Sequence, residues 1–225
     1  MGSPVLSMRA MLLAAGRGER MGALTAHRPK PLLELGAESL IERHLRRLAA
    51  AGIENVVVNL SYHGEQIRAR LGNGARYSVS IRYSSEGEPP LETGGGVVHA
   101  LPLLGSGPFL LINADVYTNF DFAKLTRRES RPTLVLVPNP PHHAQGDFGL
   151  DADGHVTADP PLWTFAGISR LDTAMFEQLA PGARPLKPVL DTALAHRDLL
   201  GLLYEGTWID VGTPERLQQA IDTNR

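Results

Sequence analysis

The chain has 225 residues, carries a formal net charge of −2 and contains no cysteine. A disulfide framework, a zinc–thiolate site and a cysteine nucleophile are therefore excluded, and the absence of cysteine fits a reducing, cytoplasmic setting. The sequence has no basic stripe for a nucleic acid, and no apolar run reaches the ~20 residues that a membrane-spanning helix needs.

The first half of the chain alternates strand patterns with helical patterns. Buried strands are predicted at residues 10–15, 56–58, 80–83, 109–113 and 134–137. Helices are predicted at 40–51 and 93–101, and a further helix is predicted to end at about residue 71. Strands separated by helices of this length imply right-handed crossovers. The pattern predicts a Rossmann-like α/β fold with a mainly parallel sheet flanked by helices, and a ligand site beyond the carboxyl ends of its strands.

The second half of the chain is less regular. A hairpin is predicted around Gly154, followed by a strand at 165–169, two short helices, a strand at 200–204 and a last helix at 214–223 that begins with Pro214. The sequence has no internal repeat, so one domain over residues 9–225 is the simplest account, with a less regular part at 138–225. Residues 1–8 are interpreted as a flexible leader or a tag remnant.

Gly16 and Gly18 follow the first buried strand in the run Leu13-Ala14-Ala15-Gly16-Arg17-Gly18-Glu19-Arg20-Met21. Glycines at such a place let backbone N–H groups turn toward an anion. Arg20 and Lys30 could then add full positive charges over the same phosphates. The run matches neither a P-loop nor a dinucleotide-binding fingerprint, and by itself it is equally consistent with a tight turn.

Lys30 lies between Pro29 and Pro31. The prolines pin its backbone, so the direction of its ammonium group is unusually fixed. A functional cation is therefore favoured over a solvated loop lysine.

Two apolar segments end in an aspartate, at Leu111-Ile112-Asn113-Ala114-Asp115 and at Trp208-Ile209-Asp210. Two carboxylates are what Mg²⁺ usually takes from a protein, while phosphate oxygens and water complete its octahedron. A helix cap or an Asx turn explains each aspartate about as well. The residues alone leave both interpretations open.

The three glycines at 94–96 follow a loop that connects the third strand to a helix. A loosened junction between loop and helix would explain them. His142 and His143 are interpreted as a polar loop pair, because adjacent residues rarely chelate one ion.

The glycine-rich run at 13–21 and the downstream Pro29-Lys30-Pro31-Leu32 together resemble the sugar-1-phosphate nucleotidyltransferase family, from about Arg9 to the end of the chain. The resemblance implies a nucleotidyltransferase fold of the GT-A-like type, here without the C-terminal β-helix domain that members of other branches often carry. The sequence departs from the family at Gly22-Ala23-Leu24-Thr25, where many relatives carry Arg-Pro-Leu-Thr. It also has one more proline at Pro89-Pro90 than close relatives.

The resemblance also implies the site residues. The catalytic residues would be Arg20, Lys30, Asp115 and Asp210, of which Asp115 and Asp210 would bind Mg²⁺. The nucleotide would be bound by Ala15, Gly16, Gly18, Glu19, Arg20, Lys30, Gly87, Glu88 and Asn113, and the sugar by Thr93, Gly146 and Asp147. Residues 9–137 would form the nucleotide-binding half and residues 138–225 the acceptor-sugar half.

The runs Glu92-Thr93-Gly94-Gly95-Gly96, Asn139-Pro140-Pro141-His142-His143 and Gly146-Asp147-Phe148 are similar to one branch of the family. That branch transfers UMP from UTP to N-acetylmuramic acid 1-phosphate in cell-wall recycling. The expected partners are thus UTP and a sugar 1-phosphate, without nucleic acid or membrane, for a monomer or small homo-oligomer. The alternatives are a hexose 1-phosphate with GTP, dTTP or UTP, and a non-catalytic domain that binds a nucleotide sugar and regulates a partner.

Overall fold

The computed structural model describes residues 8–127 and 131–224, so the leader predicted at residues 1–8 lies outside it except for Met8. The strands in these segments are β1 Arg9–Leu13, β2 Asn55–Leu60, β3 Ser80–Ser85, β4 Pro108–Asn113, β5 Val116–Thr118, β6 Thr133–Val137, β7 Phe148–Leu150, β8 Val156–Thr157, β9 Leu162–Asp172, β10 Leu200–Leu203 and β11 Trp208–Asp210. The α-helices are α1 Leu40–Ala50, α2 Gly64–Leu71, α3 Glu92–Leu104, α4 Ala123–Thr126, α5 Lys187–Ala195 and α6 Pro214–Thr223.

The large sheet has the strand order β10-β6-β9-β4-β1-β2-β3, and β7 and β8 extend from β9 as a small antiparallel arm. β1 pairs in parallel with both β2 and β4, and β9 runs antiparallel between β4 and β6. A second, two-stranded sheet pairs β5 with β11. The predicted α/β domain with a mainly parallel sheet is confirmed. In the order of the large sheet, β9 is antiparallel to both of its neighbours.

Two apolar layers cover the two faces of the sheet, because successive residues of a strand point to opposite sides. Ala10 and Leu12 of β1 face the layer that contains α1 and α2, while Met11 faces the layer that contains α3 and α5. None of the helices in the described segments is both long and apolar enough to cross a membrane. The layers hold the sheet rigid and leave its carboxyl-end edge free for polar side chains.

Helix α1 begins with a capping box, in which the Glu42 carboxylate accepts hydrogen bonds from the backbone N–H and from the hydroxyl of Ser39. Glu42 is buried, and it also accepts hydrogen bonds from Arg70 and Tyr77. Burial by itself raises the pKa of Glu42, but the hydrogen bonds from Arg70, Tyr77 and Ser39 outweigh it and lower that pKa to about 2. This carboxylate ties α1 to α2 and to the turn at 75–77.

His44, two residues further along α1, is fully buried beside the ring of Phe122. Burial lowers the pKa of His44 to about 4, because the charged imidazolium loses its hydration, and the backbone of Val116 opposes the shift only in part. The folded protein therefore keeps this histidine neutral at pH values where the unfolded chain takes up a proton.

We expect the free energy of unfolding to fall as the pH drops from about 6.5 toward 4, since the unfolded state then binds a proton that the folded state excludes. Between pH 7 and pH 5 the loss from His44 should be about 2 kcal/mol. In the variant His44→Met, the decrease in the free energy of unfolding between pH 7 and pH 5 should be smaller by about 2 kcal/mol. Urea unfolding at both pH values measures this difference. The exposed His196, changed to Met, is the matched control and should leave the pH dependence unchanged. An equal pH dependence in His44→Met would contradict the assignment.

Candidate active site

A cleft of about 560 Å³ opens at the carboxyl-end edge of the sheet, where β1, β2 and β4 end. The glycine-rich loop after β1 forms one side of the cleft and the start of α3 lies opposite. The residues that line it and were predicted from the sequence are Ala15, Gly16, Gly18, Glu19, Arg20, Lys30, Thr93, Asn113 and Asp115. Residues far apart in the chain thus meet in one space.

The glycine-rich loop is held as one unit with Lys30. Gly18 has a φ of 67°, and its carbonyl accepts hydrogen bonds from the Met21 N–H at 2.9 Å and from the Thr25 hydroxyl at 2.9 Å. A Cβ at Gly18 would lie 3.2 Å from the Cβ of Lys30 and 3.2 Å from a methyl of Thr25. Glycine is therefore required here both by the left-handed backbone and by the close approach of Lys30.

Lys30 begins a short 3-10 turn after the extended Pro29. Its side chain is only 9% exposed, and its Nζ lies 2.5 Å from Asp115 Oδ2, although the two residues are 85 positions apart in the chain. A lysine this deeply placed needs a paired carboxylate, since an unpaired ammonium would lose its hydration without compensation. The alternative of a solvated loop lysine is wrong.

Asp115 and Asp210 lie side by side because β5 and β11 pair. In the register of that pairing Asp210 stands opposite Val116, and the Val211 N–H donates to the Asp115 carbonyl at 2.9 Å. Both aspartates line a second cavity of about 360 Å³ that adjoins the main cleft and shares Arg20, Asn113 and Asp115 with it. The sequence predicted both aspartates, but β5 was not predicted.

The carboxylate of Asp210 has two partners that were not predicted from the sequence. Arg216 Nη1 lies 2.5 Å from Asp210 Oδ1, and His142 Nε2 lies 3.1 Å from the same oxygen. His142 and His143, which were interpreted as a polar loop pair, both line the second cavity. The signal that could have found Arg216 is its position in the first turn of the helix that follows Asp210.

The two aspartates are the residues that could hold a metal ion. Mg²⁺ binds in proteins through one or two carboxylates together with substrate phosphates and water, and two neighbouring carboxylates at a phosphate-sized cleft fit that requirement. The described residues contain no group of three or more His, Asp or Glu side chains placed to hold a metal.

Asn59 and Glu86 line the cleft, although neither was predicted from the sequence. The buried Asn59 accepts a hydrogen bond from the Ala14 N–H at 2.6 Å and donates to Glu86 at 2.7 Å. Glu86 also accepts from the Leu91 N–H at 3.0 Å. These bonds join the ends of β1 and β2 to the loop that precedes α3, and the polar Asn59 after three valines was the available signal.

The glycines at 94–96 are required by packing and do not loosen a junction. A Cβ at Gly94 would lie 2.6 Å from the Pro185 carbonyl oxygen, and one at Gly96 would lie 2.5 Å from Glu86 Oε1. All three glycines are buried within α3. The start of the helix can therefore approach both the Glu86 carboxylate and the segment before α5.

Gly87 and Glu88 are placed differently from what the sequence led us to expect. Neither lines the main cleft; both border a separate hollow of about 490 Å³ beside the start of α2. The Gly87 carbonyl accepts from the Ser61 hydroxyl, and Glu88 forms an exposed ion pair with Arg17 at 3.2 Å. The loop turns outward after Glu86, and Glu86 rather than Glu88 lines the cleft.

The three residues predicted to bind the sugar have different surroundings. Thr93 and Asp147 both line a third cavity of about 260 Å³, whose apolar wall includes Phe148 and Phe165. Asp147 also accepts a hydrogen bond from the Phe165 N–H at 2.8 Å, so part of its role is structural. Gly146 lines none of these three cavities. It is a turn residue with a φ of 68°, where a Cβ would meet the Leu162 backbone.

Comparison with known proteins places the chain among nucleotide-transferring enzymes. A family model described as nucleotidyl transferase matches residues 9–157. An N-acetylmuramate alpha-1-phosphate uridylyltransferase of Neisseria meningitidis serogroup B is 44% identical over 95% of this chain and 96% of its own length. The protein of the same name from Caulobacter vibrioides is 34% identical over 92% of each chain. A mannose-1-phosphate guanylyltransferase of Mycobacterium tuberculosis is 32% identical over 92% of this chain, which spans 61% of that protein.

Solved structures share the fold. HddC from Yersinia pseudotuberculosis in complex with GMP-PN superposes with a TM-score of 0.79 at 21% identity, over 97% of this chain and all of that one (100%). A Bacillus anthracis protein crystallised with sucrose gives a TM-score of 0.86 at 20% identity, over 97% of this chain and 95% of that one. At these identities the likeness concerns the architecture alone.

The close fit of Gly18 against Lys30 predicts a selective effect of the variant Gly18→Ala. Its methyl group should push Lys30 away from Asp115, so ligand binding and turnover should fall at least about tenfold. The left-handed backbone should in addition lower the free energy of unfolding by about 1 kcal/mol. Gly52→Ala is the matched control, because Gly52 also has a positive φ but a methyl group there would have no neighbouring atom within 4 Å. Thermal unfolding and triphosphate binding of both variants measure the two effects. Equal loss of binding in both would contradict the role given to Gly18.

Proposed function

The chain belongs to the nucleotidyl transferase family, and from that premise we propose that it transfers UMP from UTP to N-acetylmuramic acid 1-phosphate. The products would be the UDP-sugar and pyrophosphate. Two relatives with this name match the chain over nearly its whole length. A cytoplasmic setting, where UTP and sugar phosphates are available, suits the reaction.

The observation that carries the proposal is the contact between Lys30 and Asp115 at the edge of the cleft. It brings a fixed ammonium group, a carboxylate and the glycine-rich loop within one space. Arg20 lines the same cleft, and Asp210 is joined to Asp115 through paired strands. Cations next to paired carboxylates are what a reaction between two phosphate groups requires.

In this reaction a phosphate oxygen of the acceptor attacks the α-phosphorus of UTP, and the bond from that phosphorus to the bridging oxygen of the β-phosphate breaks. The nucleophile is already an anion, so no side chain has to remove a proton. The obstacle is repulsion between two negatively charged groups, and catalysis rests on alignment and charge neutralisation.

Lys30 and Arg20 would reduce the negative charge of the triphosphate, and the backbone of the glycine-rich loop would receive the departing pyrophosphate. Asp115 and Asp210 would hold Mg²⁺, which supplies Lewis-acid stabilisation of the phosphate oxygens when it is bound. Asn59 and Glu86 would keep the opposite side of the cleft in place through their hydrogen bonds to the Ala14 and Leu91 N–H groups. Thr93 and Asp147 would contact the sugar in the third cavity.

A substrate panel tests the proposed specificity. Each of UTP, GTP and dTTP is combined with N-acetylmuramic acid 1-phosphate, N-acetylglucosamine 1-phosphate or mannose 1-phosphate, and pyrophosphate release is measured with excess Mg²⁺. We expect the highest kcat/KM for UTP with N-acetylmuramic acid 1-phosphate, and no turnover in EDTA. A higher value for a hexose 1-phosphate would shift the proposal to that substrate, and the absence of pyrophosphate in every mixture would favour a binding protein.

The variants Lys30→Met and Asp115→Asn should each lower kcat by about 10² to 10³, because each removes a charge that is positioned for the transition state. Lys124→Met, in the exposed face of α4, is the control and should keep the activity of the unchanged protein. Circular dichroism and thermal unfolding check that all three variants are folded. Near-normal turnover by folded Lys30→Met at saturating substrate would contradict its role.

A further inference from the structure

Each of the two proposed metal ligands is already paired with a cation of the chain. Asp115 pairs with Lys30 and Asp210 with Arg216, both at 2.5 Å. The side chain of Lys30 is 9% exposed and that of Arg216 is 13% exposed, so both cations are largely shielded from water. The carboxylates of Asp115 and Asp210 are 35% and 29% exposed, so solvent and salt screen the two pairs in part, less than they screen fully exposed surface pairs.

The surroundings of Arg216 fix its guanidinium on Asp210. Arg216 lies in the first turn of α6, whose Leu217 and Ala220 pack into the core cluster around β5 and β11. His142 contacts both Arg216 and Asp210 from the other side. The helix is anchored, so the side chain rather than the backbone has to move if Asp210 changes partner.

Gly212 leaves room for two guanidinium groups. A Cβ there would collide with Arg216 Nη2 and would lie 3.3 Å from Arg20 Nη2. Arg20 and Arg216 therefore stand near each other at one end of the cleft, next to Asp210. Two like charges this close favour an anion between them.

These charges act against a divalent cation that arrives alone. It would have to take Asp210 from Arg216 and Asp115 from Lys30, and it would leave both cations beside it without a partner. A triphosphate that arrives with the metal removes this cost, because its oxygens are new partners for the displaced side chains.

We propose that Arg216 is a positioning residue that holds Asp210 in the free protein and makes uptake of the divalent cation depend on the triphosphate. The inference rests on the proposed function, since it takes Asp115 and Asp210 as metal ligands. The proposed role predicts that removal of Arg216 raises the affinity for the metal ion alone. A merely structural role predicts no such rise.

The test measures Mn²⁺ binding by electron paramagnetic resonance, with Mn²⁺ as the probe for Mg²⁺. The unchanged protein should bind Mn²⁺ alone weakly and bind it far more tightly with a non-hydrolysable UTP analogue. In Arg216→Met the affinity for Mn²⁺ alone should rise at least about tenfold, equivalent to about 1.4 kcal/mol, and the gain from the analogue should shrink. An unchanged or lower affinity for Mn²⁺ alone in folded Arg216→Met overturns the inference.

Three further variants sharpen the result. Arg216→Lys keeps the charge and should behave like the unchanged protein. Arg197→Met removes another arginine–aspartate pair, with Asp151 at 2.9 Å, away from the cleft, and should not alter Mn²⁺ binding. Adding Asp210→Asn to Arg216→Met should abolish the gain, and a gain that persists would overturn the inference.

Two outcomes separate this inference from the proposed function. Normal pyrophosphate release and normal Mn²⁺ uptake with the analogue, combined with no gain in Arg216→Met, overturn the role of Arg216 alone. If the protein takes up no Mn²⁺ even with the analogue and releases no pyrophosphate with any substrate, the proposed function and this inference fall together.

Discussion

The site depends on the contact of Lys30 with Asp115, which is the point where the loop after β1 meets the end of β4. The sheet brings the two segments to the same edge, and the prolines beside Lys30 limit where its side chain can reach. The pair in turn sets the distance between the glycine-rich loop and the turn between β4 and β5 that carries Asp115. Gly18 has to be small for the same reason, since the loop packs directly on the stem of Lys30.

The carboxylates of the site each have a partner from the chain. Asp115 faces Lys30, Asp210 faces Arg216, and Glu86 is held by Asn59 and a backbone N–H. Such pairs lower the cost of keeping ionised groups out of water until a ligand with its own charges arrives. Lys30 and Arg216 can exchange their carboxylate partners for the phosphate oxygens of such a ligand.

Local chemistry in the sequence predicted the sheet class, the exposed aspartates at strand ends and the fixed lysine, because each follows from the residue and its immediate neighbours. It could not predict β5, which has three residues and exists through its pairing with β11. His142 gained its role from a tertiary contact with Asp210, 68 positions further along the chain, which no local pattern encodes. Gly94 and Gly96 were hard to interpret for a related reason, because a glycine that serves close packing looks like one that serves flexibility.

The pairing of β5 with β11 has a consequence for how the protein matures. Asp210 comes from the last strand and can reach Asp115 only after that strand has docked, whereas the central strands and the glycine-rich loop are made earlier in synthesis. A chain that ends before β11 therefore lacks both the second carboxylate and Gly212, which lines the cleft.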